Sequence, residues 1–252
     1  MTRHVNKAAV AAAFGRAATT YDKHAQLQRA SGALLADMLE GRDVSTVLDA
    51  GCGTGWYSRA WREQGCHVTA LDLSAAMLNH AEQLGCADHY LEGDIEAINL
   101  PDQHVDLAWS NLAVQWCNDL HSGLSELYRV TRSGGCVAFS TLAADSMCEL
   151  HTAWQAVDER PHANQFLPFA SIQDICEGWR CSLQIHEISQ SYDSVLSAMH
   201  SLKGIGATHL HDGRKPSLMS RQQLQKLSLA WPQKEGQFPL TWQLVCGVIE
   251  RD

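Results

Sequence analysis

The chain has 252 residues, 45% hydrophobic and 19% charged, with a formal net charge of −9. That length suits one full-sized α/β domain with a well-buried core, or two small ones. The acidic balance argues against general nucleic-acid binding, no stretch approaches the ~18–20 apolar residues of a membrane span, and nine scattered cysteines without a CxxC pair suggest neither a disulfide framework nor a zinc site.

At the N-terminus, Arg3 and Lys7 precede AAVAAAF, in outline the basic start and apolar middle of a signal peptide. Arg16 interrupts the run and no Leu- or Ile-rich core follows, so an alanine-rich helix is expected. Reduced thiols and no export signal point to the cytoplasm. Phe14, Ala18, Tyr21, Ala25 and Gln28 then recur at helical spacing as one stripe. From residue 44 the chain alternates. Strand STVLDA (45–50) leads to helix 54–65, which stops at a glycine. Strand 67–74 leads to helix 75–85, with Ser74 as N-cap and Gly85 as stop. Strands follow at 89–94 and 104–111, then an amphipathic helix 119–135 ending in Gly134–Gly135, then strand 136–142. Crossover helices between such strands demand a mostly parallel sheet covered on both faces.

After Leu142 the pattern loosens: helix 147–160, a loop at 160–171 containing Pro and Phe, strand 183–192, a basic helical stretch to about Glu235, and a closing strand 240–251. Two late strands enclosing a helical insertion suggest an antiparallel sheet edge with a lid across it. Charge is uneven. Residues 1–30 carry net +4 and residues 193–237 net +3, which leaves −16 on the remainder of a −9 chain. The basic segments either just face water or form a surface for an acidic partner.

Residues 47–56 read VLDAGCGTGW. A dinucleotide fingerprint is GxGxxG and a Walker loop is GxxxxGK[ST]; here Gly51, Gly53 and Gly55 fall at alternate positions instead. Asp72 ends the second strand, 23 residues beyond Asp49, and GDIE follows the third strand at 93–96. A carboxylate at the place of Asp72 can accept hydrogen bonds from both ribose hydroxyls. This order resembles the Class I S-adenosylmethionine-dependent methyltransferases. The resemblance implies S-adenosyl-L-methionine as cofactor, with S-adenosyl-L-homocysteine as product. Asp49, Gly51 and Gly53 then stand at the methionine and ribose portions, Asp72 and Leu73 at the ribose, Asp94 and Ile95 at the adenine, and Asn111 and Leu112 near the sulfonium.

AFGRAATTYDKHAQLQ (13–28), SNLAVQWC (110–117), ELYRV (126–130), AWQAVDERPHANQFLP (153–168) and SLKGIGATHLH (201–211) occur together in this order. With them the chain is similar, over nearly its whole length, to the malonyl-acyl-carrier-protein O-methyltransferases of biotin synthesis. The resemblance implies one methyltransferase domain over 1–252: an N-terminal helical lid (1–40), a cofactor-binding core (44–142) and a helical substrate and partner insertion (193–237). It implies a Rossmann-like, mostly parallel seven-stranded sheet with helices on both faces. The implied reaction methylates the free carboxyl of malonyl-acyl carrier protein, or of its coenzyme-A counterpart, and so initiates pimeloyl synthesis. No metal, nucleic acid or membrane enters it, and a monomer is expected. Two alternatives remain: a methyltransferase of a small free acid, and a non-catalytic S-adenosylmethionine-binding regulator.

A carboxylic acid with a pKa near 4 is ionised at neutral pH, so the missing Ser/His/Asp or Cys/His constellation is expected. Lys203, before Gly204 and Gly206, is the leading candidate for the substrate carboxylate, with the glycine N–H groups facing an oxygen. The competing reading is an ordinary helix C-terminal cation with Gly204 as its stop. His209 and His211 either donate hydrogen bonds or cap the loop. Trp116 and Trp56 either wall the pocket or fill the core. Tyr21, on the lid, would stand near the sulfonium. Arg214, Lys215, Arg221 and Lys226 lie beyond the substrate loop, where they would dock the acidic carrier.

Overall fold

Four strands rich in Val, Leu and Ala are buried on both faces, as a parallel sheet between helical layers requires. In the computed structural model, which describes residues 5–158, 162, 164–204 and 220–252, these are β1 (Thr46–Ala50), β2 (His67–Asp72), β4 (Val105–Asn111) and the inner part of β5 (Thr131–Leu142). With β3 (His89–Glu92), β6 (Arg180–Tyr192) and β7 (Phe238–Glu250) they form one seven-stranded sheet in the order β3-β2-β1-β4-β5-β7-β6. The first five are parallel. β7 runs antiparallel to β5 and to the edge strand β6, the antiparallel edge that two late strands suggested. Order reverses between β1 and β4, which places the ligand crevice at their carboxyl ends.

Alternate residues feed opposite faces. Val47, Val68, Leu107 and Trp109 pack in one cluster, with α3 (Gln26–Asp37), α4 (Trp56–Glu63), α5 (Ala75–Gln83), α7 (Cys148–Gln155), α9 (Val195–Gly204) and α10 (Arg221–Ala230). Leu48, Ala108, Val137 and Phe139 pack in the other, under α6 (Leu120–Val130) and α8 (Phe169–Cys176). Ser74 caps α5, its Oγ accepting from Met77 N–H, and Gly85 just past the helix has φ +61°. Among the described residues no helix is long and apolar enough to cross a membrane.

Three expectations are corrected. The helix expected over 119–135 ends at Val130, where the Thr131 hydroxyl donates to Leu127 O at 2.7 Å and the chain turns extended. Gly134–Gly135 therefore serve the start of β5: a Cβ on Gly135 would lie 2.4 Å from Asp106 O. The loop expected at 160–171 ends at Pro168, and α8 follows it. The single stripe from Phe14 to Gln28 is divided among α1 (Lys7–Ala17), α2 (Tyr21–His24) and α3. The chain bends at 18–20 and again at Ala25, so Phe14, Tyr21 and Gln28 stand on three short helices, with Ala18 and Ala25 at the bends between them.

Candidate active site

The glycine loop turns directly off β1. Gly51 and Cys52 N–H groups both donate to Leu71 O, at 2.7 and 3.0 Å, which ties the loop to the end of β2. Gly51 has φ +82°, and a Cβ there would sit 2.2 Å from Ala113 Cβ. Gly53 has φ +56°, and its nearest neighbour in the Cβ direction is Tyr21 Cε1, at 3.9 Å. One glycine thus packs the loop against the segment after β4, and the other leaves open space beneath Tyr21. Asp72 fastens the loop's far side: Oδ2 accepts from Gly53 N–H and Oδ1 from Ser74 N–H, each at 2.8 Å. Burial raises the Asp72 pKa, and the Ser74 and Gly53 N–H groups oppose the rise.

Asp49 lies deeper. It is 2% exposed, and its Oδ2 accepts from Ser58 Oγ at 2.6 Å. Burial pushes its carboxyl up to about 7, against the Ser58 hydrogen bond and with the help of nearby Asp72.

At the end of β4, Asn111 has little polar capacity left for a ligand. Its Oδ1 accepts from Ser31 and Ser140 hydroxyls, at 2.7 and 2.8 Å, and its Nδ2 donates to Gln28 O at 2.9 Å. Asn111 is therefore a positioning residue that fixes α3 against β4. The next residue, Leu112, holds φ +51°, a conformation costly for a branched side chain. Its N–H donates to Ser140 Oγ at 2.9 Å and its carbonyl accepts from Gln115 Nε2 at 2.8 Å, which hold the bend in place.

Three cavities open around these groups, and Tyr21 lines all of them. The largest, about 670 Å³, runs from Gly51 and Gly53 past Asp72, Leu73, Asp94 and Ile95. The second, about 440 Å³, is lined by Asp49, Gly51, Gly53 and Thr54 with Arg29 and Trp56. The third, about 610 Å³, lies beyond Leu112 and Trp116, among Leu142, Leu150, Phe166 and Trp242. Phe14 and Trp116 line both the first and third, with ring centroids 5.4 Å apart, edge to face. Trp56, 51% exposed, stacks under the Arg29 guanidinium at 4.7 Å. Both tryptophans are therefore cavity walls. Burial and the Asp72 and Asp22 carboxylates push the Tyr21 phenol well above its ordinary pKa, so it stays protonated.

The sequence did not single out Lys7 or Arg29. Lys7 Nζ reaches 87 residues along the chain to Asp94, at 2.6 and 2.7 Å, and also pairs with Glu96. Burial works against its charge, but the Asp94 and Glu96 hydrogen bonds outweigh that and raise its pKa. α1 is thereby pinned over the largest cavity, to which Lys7, Val10, Ala11 and Phe14 contribute. Only the charge pattern hinted at this: a basic N-terminal segment and an acidic GDIE. Lys203 and Gly204 close α9, whose Leu202 lines the third cavity. The Lys203 side chain and residues Gly206, His209, His211, Arg214 and Lys215 lie outside the described residues. Arg221 and Lys226 are exposed on α10, away from all three cavities.

Comparison with known proteins agrees with this architecture. Residues 48–139 match the family model described as a methyltransferase domain. A Salmonella typhimurium malonyl-acyl-carrier-protein O-methyltransferase is 56% identical over 248 residues, covering 98% of this chain and 99% of that one. Among solved structures, a Bacillus halodurans protein assigned as a methyltransferase is 16% identical, with a TM-score of 0.63 over 87% of this chain and 98% of its own. A Thermotoga maritima S-adenosylmethionine-dependent methyltransferase is 15% identical, with a TM-score of 0.56 over 95% and 99%. At such identities the likeness of the last two is one of fold.

Proposed function

The chain belongs to the malonyl-acyl-carrier-protein O-methyltransferase family, and we propose that the three cavities lined by Tyr21 divide the reaction among adenosine, methionine and acyl group. The activity is S-adenosylmethionine-dependent methylation of the free carboxyl of malonyl-acyl carrier protein, a step of biotin synthesis. The observation that carries the division is that Tyr21 lines all three cavities and stands over the open face of Gly53, which lines the first two.

The residues present fit the cofactor. Asp72 offers carboxylate lone pairs beyond the two N–H groups it already accepts, suited to ribose hydroxyls. Leu73, Asp94 and Ile95 border the adenine end, and Gly51 with Gly53 leave room for a chain passing beneath Tyr21. The 440 Å³ cavity suits a zwitterionic amino-acid end, with Asp49 for its ammonium and Arg29 for its carboxylate. S-adenosyl-L-methionine, when bound, supplies an electrophilic methyl on a sulfonium, leaving S-adenosyl-L-homocysteine. The protein's part is to orient the acyl carboxylate and keep water away. Tyr21, protonated, contributes a hydroxyl donor and a ring face at the junction. Phe14, Leu112 and Trp116 form the apolar passage between the cofactor and acyl cavities. α1 acts as the lid, latched by Lys7 on Asp94 and Glu96. Lys203 follows cavity-lining Leu202 and remains a candidate at the acyl cavity's rim.

Methyl transfer from labelled S-adenosylmethionine tests the reading, with malonyl-acyl carrier protein beside malonyl-coenzyme A, free malonate and succinyl-carrier controls. Base-labile label on the malonyl carrier is expected. No transfer to any malonyl thioester, with the cofactor bound, would overturn it.

Two further results are expected. Asp49 makes cofactor affinity pH-dependent. Its folded-state pKa of about 7 lies above the ordinary 3.8. Its contribution to free-chain stability is therefore fullest below pH 3.8 and fades as pH rises to about 7. A cationic ligand beside it favours the ionised form, so binding releases a proton below pH 7. Calorimetry should show the dissociation constant falling about tenfold from pH 6 to pH 8, and Asp49→Asn should flatten that slope. For the carrier, reversal of Arg214 and Lys215 to Glu, or of Arg221 and Lys226, should raise KM for the carrier-linked substrate. A detached malonyl thioester should be turned over as before; equal loss on both substrates would refute carrier docking there.

A further inference from the structure

We propose that the outer face of α10 docks the acyl carrier, with Leu229 as its apolar anchor beside Arg221 and Lys226. The proposal rests on the reading that the substrate arrives on an acidic carrier protein, and it adds which face meets that carrier and what holds it. α10 reads RQQLQKLSLA, and its side chains divide into two sets. Leu224 and Leu227 turn inward and pack in the core. Arg221, Gln222, Gln225, Lys226 and Leu229 are the exposed ones. Arg221, Gln225 and Leu229 follow one another at four-residue steps, and Gln222 and Lys226 form the row alongside, so all five share one face.

Leu229 is 80% exposed; the next among the described large apolar side chains, Trp56, is 51% exposed and lies under Arg29. A lone exposed leucine would need no explanation. This one stands a single turn from Lys226, on a helix without an acidic residue. Packed against α10 are α7 and α9. α9 (VLSAMHSLKG) also has no acid. The one acid of α7, Glu149, is buried and spent on Thr241, whose N–H and hydroxyl donate to it at 3.1 and 2.5 Å. On these three helices no carboxylate is left to compete for the cations. Two cations and a leucine fit a protein surface that is acidic around a small apolar patch.

Position agrees. α7 and α9, which back α10, give Leu150 and Leu202 to the 610 Å³ cavity assigned to the acyl group. A carrier on the outer face is thus one helical layer, about 10 Å, from that chamber. A second copy of this chain fits the face poorly, because pairing two α10 faces sets cation against cation. An acidic carrier meets both demands: its carboxylates oppose Arg221 and Lys226, and Leu229 is withdrawn from water against its apolar patch. Charge then speeds the encounter, and the leucine slows release.

The test is Leu229→Ser in the full chain, with binding of a fluorescently labelled acyl carrier protein followed by anisotropy. Methyl transfer by wild type to malonyl carrier is the control for the underlying reading, and its failure would sink that reading and this inference together. With wild type active, Leu229→Ser should weaken carrier binding and raise KM for malonyl carrier, each about tenfold. Leu229 lines none of the three cavities, so kcat at saturation and cofactor affinity should hold. Leu84→Ser, at a leucine 47% exposed just past α5, should leave carrier binding as it was. Salt separates the two contributions. Raising it from about 50 to about 300 mM should weaken binding by wild type and by Leu229→Ser to the same degree, since the cations remain. Reversal of Arg221 and Lys226 to Glu should flatten that dependence. Carrier affinity retained in Leu229→Ser would overturn the proposal. So would an equal loss in Leu84→Ser, or a wild-type dimer that Leu229→Ser turns into monomer, which would make a second copy the occupant.

Discussion

Gly51→Ala is expected to reduce methyl transfer at least about 100-fold, chiefly through loss of cofactor binding. Two independent costs act at this position. The backbone holds φ +82°, where an L side chain is strained by about 1–2 kcal/mol. The added methyl would also lie 2.2 Å from Ala113 Cβ, far inside contact distance. Something must move, and Ala113 follows the bent Leu112 in the segment that walls two cavities. The loop after β1 and the segment after β4 would therefore separate, opening the junction under Tyr21. Gly65→Ala is the control. Its φ is +92°, but nothing lies within 4 Å of the new Cβ. That variant should carry the strain as a modest drop in melting temperature and keep its activity. Calorimetric cofactor affinity and kcat/KM for both variants decide it, and a Gly51→Ala enzyme within tenfold of wild type would refute the packing argument.

Asp72→Asn should weaken cofactor binding about 100-fold. Both Asp72 oxygens accept loop N–H groups at 2.8 Å. Asparagine keeps one acceptor and turns an NH2 toward the other N–H, so one hydrogen bond becomes a donor–donor conflict. That costs on the order of 1–3 kcal/mol for the group left unpaired. The amide also lacks the charge that strengthens bonds to ribose hydroxyls. Isothermal titration should find the loss mainly in affinity, with kcat at saturation much less affected. A large fall in kcat at unchanged affinity would mean that Asp72 serves the reacting centre instead.

Much of this protein was readable along the chain. The parallel core shows in runs such as TVLDA and VDLAWSN, because strands buried on both faces must be apolar almost throughout. The loop VLDAGCGTGW, Asp72 and GDIE all follow strand ends, and in a parallel sheet those ends share one edge. Their convergence on one cavity follows from local pattern plus topology. Local capping was equally readable at Ser74 and Gly85, since it depends on residues within one turn.

Local pattern along the chain carries the parallel strands, a glycine loop at the end of one and a carboxylate at the end of the next; the strand order that makes this place a switch point comes from the fold. The contacts that hold the N-terminal helices against this core arise in tertiary packing alone. Lys7 meets Asp94 across 87 residues, Ser31 meets Ser140 across 109, and Gln28 meets Asn111 across 83. No periodicity records such pairs, because they form only when α1 and α3 are laid across the sheet's edge. The N-terminal stripe shows the same limit. Phe14, Tyr21, Ala25 and Gln28 do gather at the cavities, but through a bend at 18–20 that turns one expected helix into three. Period specifies which face of a helix is apolar; where the helix breaks, and what its face then meets, is set by the packing it enters.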